Sequence, residues 1–207
     1  VIGLDVSARE PKLDKSDTST WKVTITKHPG RPDLPATKLH IDICALPSLE
    51  QQYRPVKNHY QFQSPIAGLP IQVESLTEIL ADKMLAFAYR ERRIKPRDLW
   101  DLGWLSQQGI SLAGEQLVKK LALRSKSHDD FLQKIQNHAA LVKHDEETKH
   151  DFYQEMRRFV PPAVVANTLA QPPFWPYLGS VIDDYVKTTL TVFNGSESAS
   201  TKPAFKM

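Results

Sequence analysis

Gly68-Leu69-Pro70-Ile71-Gln72-Val73-Glu74-Ser75-Leu76-Thr77-Glu78-Ile79-Leu80-Ala81-Asp82-Lys83-Met84-Leu85-Ala86-Phe87 holds the point at which the hydrophobic period of this chain changes. Up to Val73 the stretch is extended. From Ser75 the apolar residues recur at helical spacing. Leu76, Ile79, Leu80, Met84, Leu85 and Phe87 so nearly surround this helix, expected over 75–92, that it reads as buried. Ser75 with Glu78 three residues later is a capping-box pattern, in which each side chain satisfies a backbone N–H of the first turn. The expected fold class is α+β.

On the amino-terminal side the pattern is β. Trp21-Lys22-Val23-Thr24-Ile25-Thr26-Lys27 and Thr37-Lys38-Leu39-His40-Ile41-Asp42-Ile43-Cys44 both alternate apolar and polar residues. Between them His28-Pro29-Gly30-Arg31-Pro32-Asp33-Leu34-Pro35 is rich in turn formers, so the two strands are expected to pair antiparallel. That is too little sheet to bury its own face, so either helices cover it or strands are missing at the amino end. On the carboxy-terminal side Pro96 opens a helix expected over 97–108 and ended by Gly109. Further helices fit 114–123, 127–143 and 146–160; Pro161-Pro162 breaks the pattern, and a last helix fits 176–192. The expected organisation is a partial sheet region over 1–74, a helical domain over 75–193 and a flexible tail over 194–207.

Composition excludes several classes. In 207 residues, 27 Lys and Arg against 24 Asp and Glu give a formal charge of +3, and 41% hydrophobic with 25% charged residues rule out wholesale disorder. The single cysteine, Cys44, excludes an internal disulfide and a cysteine-rich zinc site, and it suits a reducing cytoplasm. No apolar run approaches the roughly 20 residues needed to cross a bilayer, so no membrane partner is expected. The opening Val1-Ile2-Gly3-Leu4-Asp5 has neither a Met nor a signal peptide's charged-then-apolar start, and it leads one to expect a chain whose beginning lies elsewhere.

Three features could carry chemistry. Asp42 shares a strand face with Lys38, His40 and Cys44, and a carboxylate fixed on a rigid strand suits a hard divalent cation; the bland alternative is a solvent-facing Asp. Lys83 lies four residues after Ile79 and four before Phe87, inside the apolar stripe, where a lysine must snorkel, pair with a carboxylate, or meet an anion such as a triphosphate. Asp82 beside it points elsewhere on the helix. Lys95-Pro96-Arg97-Asp98-Leu99-Trp100-Asp101-Leu102 places Asp98 and Asp101 at i,i+3 in the opening turns of a helix, with Arg97 in reach of Asp101. Acids at a helix start can also simply answer the macrodipole. The run from Arg90 to Arg97 carries five bases in eight residues, enough to attract phosphate, although such a run is often only solvated. Cys44 reads as a small buried hydrophobe, and Trp100 with Trp104 at i,i+4 as core. His138, His144 and His150 recur at intervals of six, off the i,i+4 spacing of helical metal ligands, and no zinc is assigned.

Glu78-Ile79-Leu80-Ala81-Asp82-Lys83-Met84-Leu85-Ala86-Phe87-Ala88-Tyr89-Arg90, followed by Lys95-Pro96-Arg97-Asp98-Leu99-Trp100-Asp101-Leu102, resembles the abortive-infection nucleotidyltransferase toxins of the AbiEii type. Their pattern is E-I-x-A-[ED]-K-x-x-A-x-x-x-R, then a basic turn and R-D-hydrophobic-x-D-L. Leu39-His40-Ile41-Asp42-Ile43 is similar to that family's short acidic strand, so the resemblance covers about residues 21–105. It implies a partial sheet of the DNA polymerase-β nucleotidyltransferase superfamily packed against a helical carboxy-terminal domain. It also implies transfer of a nucleotide from an NTP, with Mg²⁺, to an acceptor such as tRNA, and a cognate antitoxin. By position it makes Asp42, Lys83 and Asp98 catalytic, with Asp42 the metal carboxylate, Lys83, Arg90 and Arg97 on the nucleotide, and Asp101 in support. In-line transfer of this kind works by positioning and charge stabilisation.

The superfamily's glycine-containing first motif and its D-x-D metal pair belong upstream of the acidic strand, and nothing before Asp42 matches them. Glu10, Asp14 and Asp17 sit in polar surroundings without a glycine-rich turn. The chain is therefore expected to be amino-terminally incomplete and inactive by itself. Two rivals stand beside the enzyme: a non-catalytic module that binds nucleotide, nucleic acid or a partner through the basic turn, and a structural helical domain whose charges form surface ion pairs.

Overall fold

Five strands and seven helices follow one another in the computed structural model of this protein, which describes residues 4–11, 18–28, 30, 31, 33–58 and 62–200. Strands β1 (Asp5–Arg9), β2 (Thr18–Thr26) and β3 (Thr37–Cys44) form an antiparallel sheet in the order β1-β2-β3. The reversal expected between residues 27 and 37 is there, tightened by backbone bonds from Arg31 N–H to the His28 carbonyl (2.9 Å) and from Leu34 N–H to the Arg31 carbonyl (3.1 Å). Trp21 lies opposite Ile41, Val23 opposite Leu39 and Ile25 opposite Val6, so the register collects the apolar residues on one face. That face stays half open, with Leu39, Ile41 and Ile43 47%, 51% and 50% exposed. Cys44, expected to be buried, is exposed because it ends β3 on the polar face. Asp14 and Asp17 lie outside the described residues.

The chain divides into two compact units, Val1–Ser48 and Leu49–Met207. The second contains the antiparallel hairpin of β4 (Gln51–Pro55) and β5 (Pro70–Glu74), then α1 (Leu76–Tyr89), α2 (Pro96–Gln107), α3 (Gly114–Leu123), α4 (His128–His144), α5 (Glu146–Phe159), α6 (Pro162–Asn167) and α7 (Phe174–Ser200). The division falls after Ser48, earlier than the sheet-to-helix change at Ser75, because β4 is tied directly to α1. The Glu78 carboxylate accepts from the backbone N–H groups of Leu49 and Glu50, each at 2.7 Å, and Ser75 N–H donates to the Glu50 carbonyl at 2.9 Å. Half of the capping box is as expected, since Ser75 Oγ accepts from Glu78 N–H at 3.1 Å. The other half is redirected, with the Glu78 side chain holding the entry to β4.

The core of this unit is helical. Leu80, Met84 and Phe87 of α1 are fully buried, as are Leu102 of α2, Leu117 and Leu121 of α3, Phe131 and Ile135 of α4, and Phe152 of α5. Each such side chain contributes about 1.5–3 kcal/mol by leaving water. Pro161-Pro162 breaks the pattern as expected: α5 ends at Phe159, and Pro162 then starts the short α6, because proline lacks the N–H that a first helical residue leaves unpaired in any case. The last helix is longer than expected: α7 runs through Ser200, beyond the expected 176–192 and into the expected tail, because adding a residue to a formed helix avoids the cost of nucleation. Residues 201–207 lie outside the described residues.

Candidate functional site

Helix α1 ends at Tyr89, the six residues 90–95 cross over, and Pro96 starts α2 with its fixed backbone angle. This short crossing brings the end of α1 against the start of α2, and Asp98, in the first turn of α2, faces back at it. Asp98 is buried, its side chain 6% exposed, and both carboxylate oxygens meet cations: Lys83 Nζ of α1 at 3.4 Å and Nε of Arg90, just past the end of α1, at 3.0 Å. A buried carboxylate requires such partners, since an unpaired buried charge is costly. Lys83 also donates to Asp101 Oδ2 at 2.5 Å. Burial works against the Lys83 charge, but the hydrogen bond to Asp101 and the attraction of Asp101 and Asp98 outweigh it and hold the ammonium above its ordinary pKa.

These groups form one end of a cleft of about 710 Å³ lined by Lys83, Arg90, Lys95, Arg97, Asp98 and Asp101, and on its other side by Trp100, Trp104, Met156, Phe159, Val160, Pro161 and Val164. Four basic side chains face two carboxylates, so the charged end is net positive. Of the residues singled out in the sequence, Lys83, Arg90, Arg97, Asp98 and Asp101 are thus brought together. Lys83 is paired and does not merely snorkel. Asp42 belongs to the other unit, where it is exposed on β3 and accepts from Thr20 Oγ1 at 2.5 Å.

Several details differ from expectation. Arg97 does not hold Asp101, which Lys83 occupies; it reaches Glu155 of α5 at 3.4 Å and lies 5.1 Å over the Phe159 ring. Arg93 pairs with Asp151 and Glu155 at 2.9 and 3.1 Å, so part of the basic turn is spent on binding α5. Trp104 is not core but 44% exposed in the cleft wall, because Leu99, Leu102 and Leu105 take the inward face of α2. Phe159 and Val164 are cleft residues that the sequence reading missed. They lie more than fifty residues from Trp104, and only the packing of α5 and α6 brings them there. Asp82 does point away, to Lys120 at 2.5 Å and Arg124 at 3.1 Å.

The sequence matches the family described as Nucleotidyl transferase AbiEii toxin, Type IV TA system, over residues 2–179. The chain belongs to the AbiEii nucleotidyl transferase toxin family. Neither the curated proteins nor the solved structures yield a match. AbiEii proteins are nucleotidyltransferase toxins of toxin–antitoxin systems, so an antitoxin partner goes with the family. No described helix is long and apolar enough to cross a membrane.

The family implies a divalent metal. Glu74, Glu78 and Asp82 place three carboxylate oxygens within 4.8 Å of one another. Lys120 Nζ already sits among them, at 2.7 Å from Glu78 and 2.5 Å from Asp82, so its ammonium supplies the charge a cation would bring, and this group does not fit. Asp42 is exposed and offers a single carboxylate, a hard oxygen donor, outside that group.

Proposed function

We propose that this AbiEii protein acts as a nucleotidyltransferase toxin whose α1–α2 cleft receives the triphosphate of an NTP. The observation that supports the reading is the Lys83 ammonium, shared between Asp98 and Asp101 at the positive end of an open cleft. Asp101, 40% exposed on its side chain, can release Lys83 to an incoming phosphate and take up water instead. Asp98 then keeps Arg90 and Lys83 aimed, as the essential acid of the Arg-Asp element. Arg90 and Arg97 add charge along the phosphates. Asp42, in the other unit, is the candidate metal carboxylate, since Mg²⁺ commonly rests on one or two carboxylates together with substrate phosphates. The acceptor in this proposal is an RNA such as tRNA, and a cognate antitoxin and a cytoplasmic site of action complete it. Holding charge in place where it develops is what lowers the barrier in such a transfer.

A second reading, a module that binds nucleotide or nucleic acid without transferring it, draws on the same geometry, because both oxygens of Asp98 are already taken by cations. Titration with each NTP and incubation with labelled NTP, Mg²⁺ and total tRNA test the two together. Binding is expected at about 0.1–1 mM, or about 4–5.5 kcal/mol. Lys83→Met is expected to weaken it at least tenfold while costing about 1 kcal/mol of stability or less, since Arg90 still neutralises Asp98 and Lys83 is partly in water. Label on RNA that Asp98→Asn abolishes selects the enzyme, and NTP binding without label selects the module. Full affinity in Lys83→Met would rule out both.

A further inference from the structure

The charged end accounts for half of the cleft. The other half is apolar and open: Trp104 is 44% and Phe159 58% exposed, with Val164 beside them at 38%. Two large aromatic side chains left to water in one concavity are an uncompensated cost unless something covers them. We infer that this wall is a stacking platform for the nucleobase of the bound nucleotide, centred on Trp104; the inference rests on the triphosphate reading of the charged end.

Helix geometry supports the pairing of the two halves. Arg97, Asp101 and Trp104 follow one another at i, i+4 and i+7, so they form a stripe on one face of α2. The stripe spans about 10 Å at 1.5 Å per residue, which places a cationic rim and an aromatic surface on one rigid rod. A ligand that fits both must be a polyanion joined to a flat apolar group. A nucleotide is such a ligand. An apolar peptide helix would leave the cations uncompensated, and free phosphate would leave the aromatics bare. Arg97 lies over Phe159 already, and a guanidinium plane is itself a surface on which bases stack.

The chemistry of the wall also sets its selectivity. Beyond the charged end, the side chains lining the cleft are Trp, Met, Phe, Val and Pro, without an amide or aliphatic hydroxyl to read a base edge. Stacking tolerates every base because every base has a π face, and it favours purines through their larger rings. The platform holds the base and discriminates little between ATP and GTP.

The test uses the full chain and three probes: ATP, UTP and inorganic tripolyphosphate, titrated calorimetrically into the wild type and into Trp104→Ala, Trp104→Phe and Lys83→Met. ATP is expected to bind about tenfold more tightly than tripolyphosphate, a difference of about 1.4 kcal/mol, with UTP between them. Trp104→Ala is expected to bring ATP to the tripolyphosphate level and leave tripolyphosphate itself unchanged, and Trp104→Phe to keep most of the difference. ATP, but not tripolyphosphate, should quench tryptophan fluorescence in the wild type. An unchanged ATP-to-tripolyphosphate ratio in Trp104→Ala overturns the platform and leaves the phosphate site standing. Tripolyphosphate binding that is absent, or indifferent to Lys83→Met, overturns the phosphate site and the platform with it.

Discussion

Tyr185 shows how one side chain carries a pH dependence. It lies in α7 at 7% exposure and donates its hydroxyl to the Leu102 carbonyl of α2 at 3.4 Å. Burial, eased by a hydrogen bond with Ser106 and reinforced by Tyr177, pushes its pKa up from 10.0 to about 12. The folded state keeps the proton that the unfolded chain gives up, so this contribution is complete below pH 10 and is lost as pH rises through about 12. At about 1.4 kcal/mol per pH unit the full loss is about 2–3 kcal/mol. Tyr185→Phe is therefore expected to flatten the fall in melting temperature between pH 10 and 12; an unchanged alkaline limb would refute the assignment. Nothing in the sequence marks Tyr185 beyond its place on an apolar face. Lys83 and Asp98 are legible because their oddity is local: a charge interrupts an apolar stripe, and an acid follows a proline at a helix start. Trp104 and Phe159 are not, because a tryptophan at helical spacing looks the same whether its helix face meets core or a cleft.

Elements are held together by a second charged cluster that the motif reading passed over. Lys120 of α3 is 2% exposed and contacts Glu78 at 2.7 Å and Asp82 at 2.5 Å, both on α1, with Glu74 of β5 at 3.8 Å. Burial opposes the Lys120 charge, but hydrogen bonds to Asp82 and Glu78 outweigh it and raise its pKa. Glu78 in turn holds the Leu49 and Glu50 amides, so the cluster joins α3, α1 and the β4–β5 hairpin. Lys120→Met leaves a buried carboxylate facing no ammonium and is expected to cost about 3–5 kcal/mol. Faster hydrogen exchange should appear first at Leu49 and Glu50, with α4 and α7 unchanged. Adding Glu78→Gln should recover part of the loss, because the buried negative charge that has lost its ammonium is then gone; a double variant less stable than Lys120→Met would count against this account. The sequence shows helices α1 to α5 almost to their ends, since periodicity and caps are local. Strands β1 and β4 escape it: Asp5-Val6-Ser7-Ala8-Arg9 and Gln51-Gln52-Tyr53-Arg54-Pro55 are short and largely polar, and partner strands, not composition, make them strands.

At the scale of the whole chain, the burial is lopsided. Every buried hydrophobic side chain among the described residues falls between Leu80 and Phe193, inside the unit Leu49–Met207. The unit Val1–Ser48 is held by the ladders of one three-stranded sheet with an apolar face half in water. Folding free energy follows buried apolar area, so the second unit contains nearly all of what a cooperative transition needs, and its length is that of an ordinary domain. It also contains Lys83, Arg90, Arg97, Asp98, Asp101 and Trp104. A chain beginning at Leu49 is therefore expected to unfold in one step, with helix content and tryptophan fluorescence changing together, and within a few degrees of the longer protein. It should bind tripolyphosphate as the longer protein does, while any Mg²⁺-dependent transfer that needs Asp42 disappears. Loss of the cooperative transition in this fragment would mean that residues 1–48 carry part of the core. Loss of tripolyphosphate binding with the transition intact would mean that the phosphate site draws on the first unit, and that the α1–α2 cations do not suffice for it.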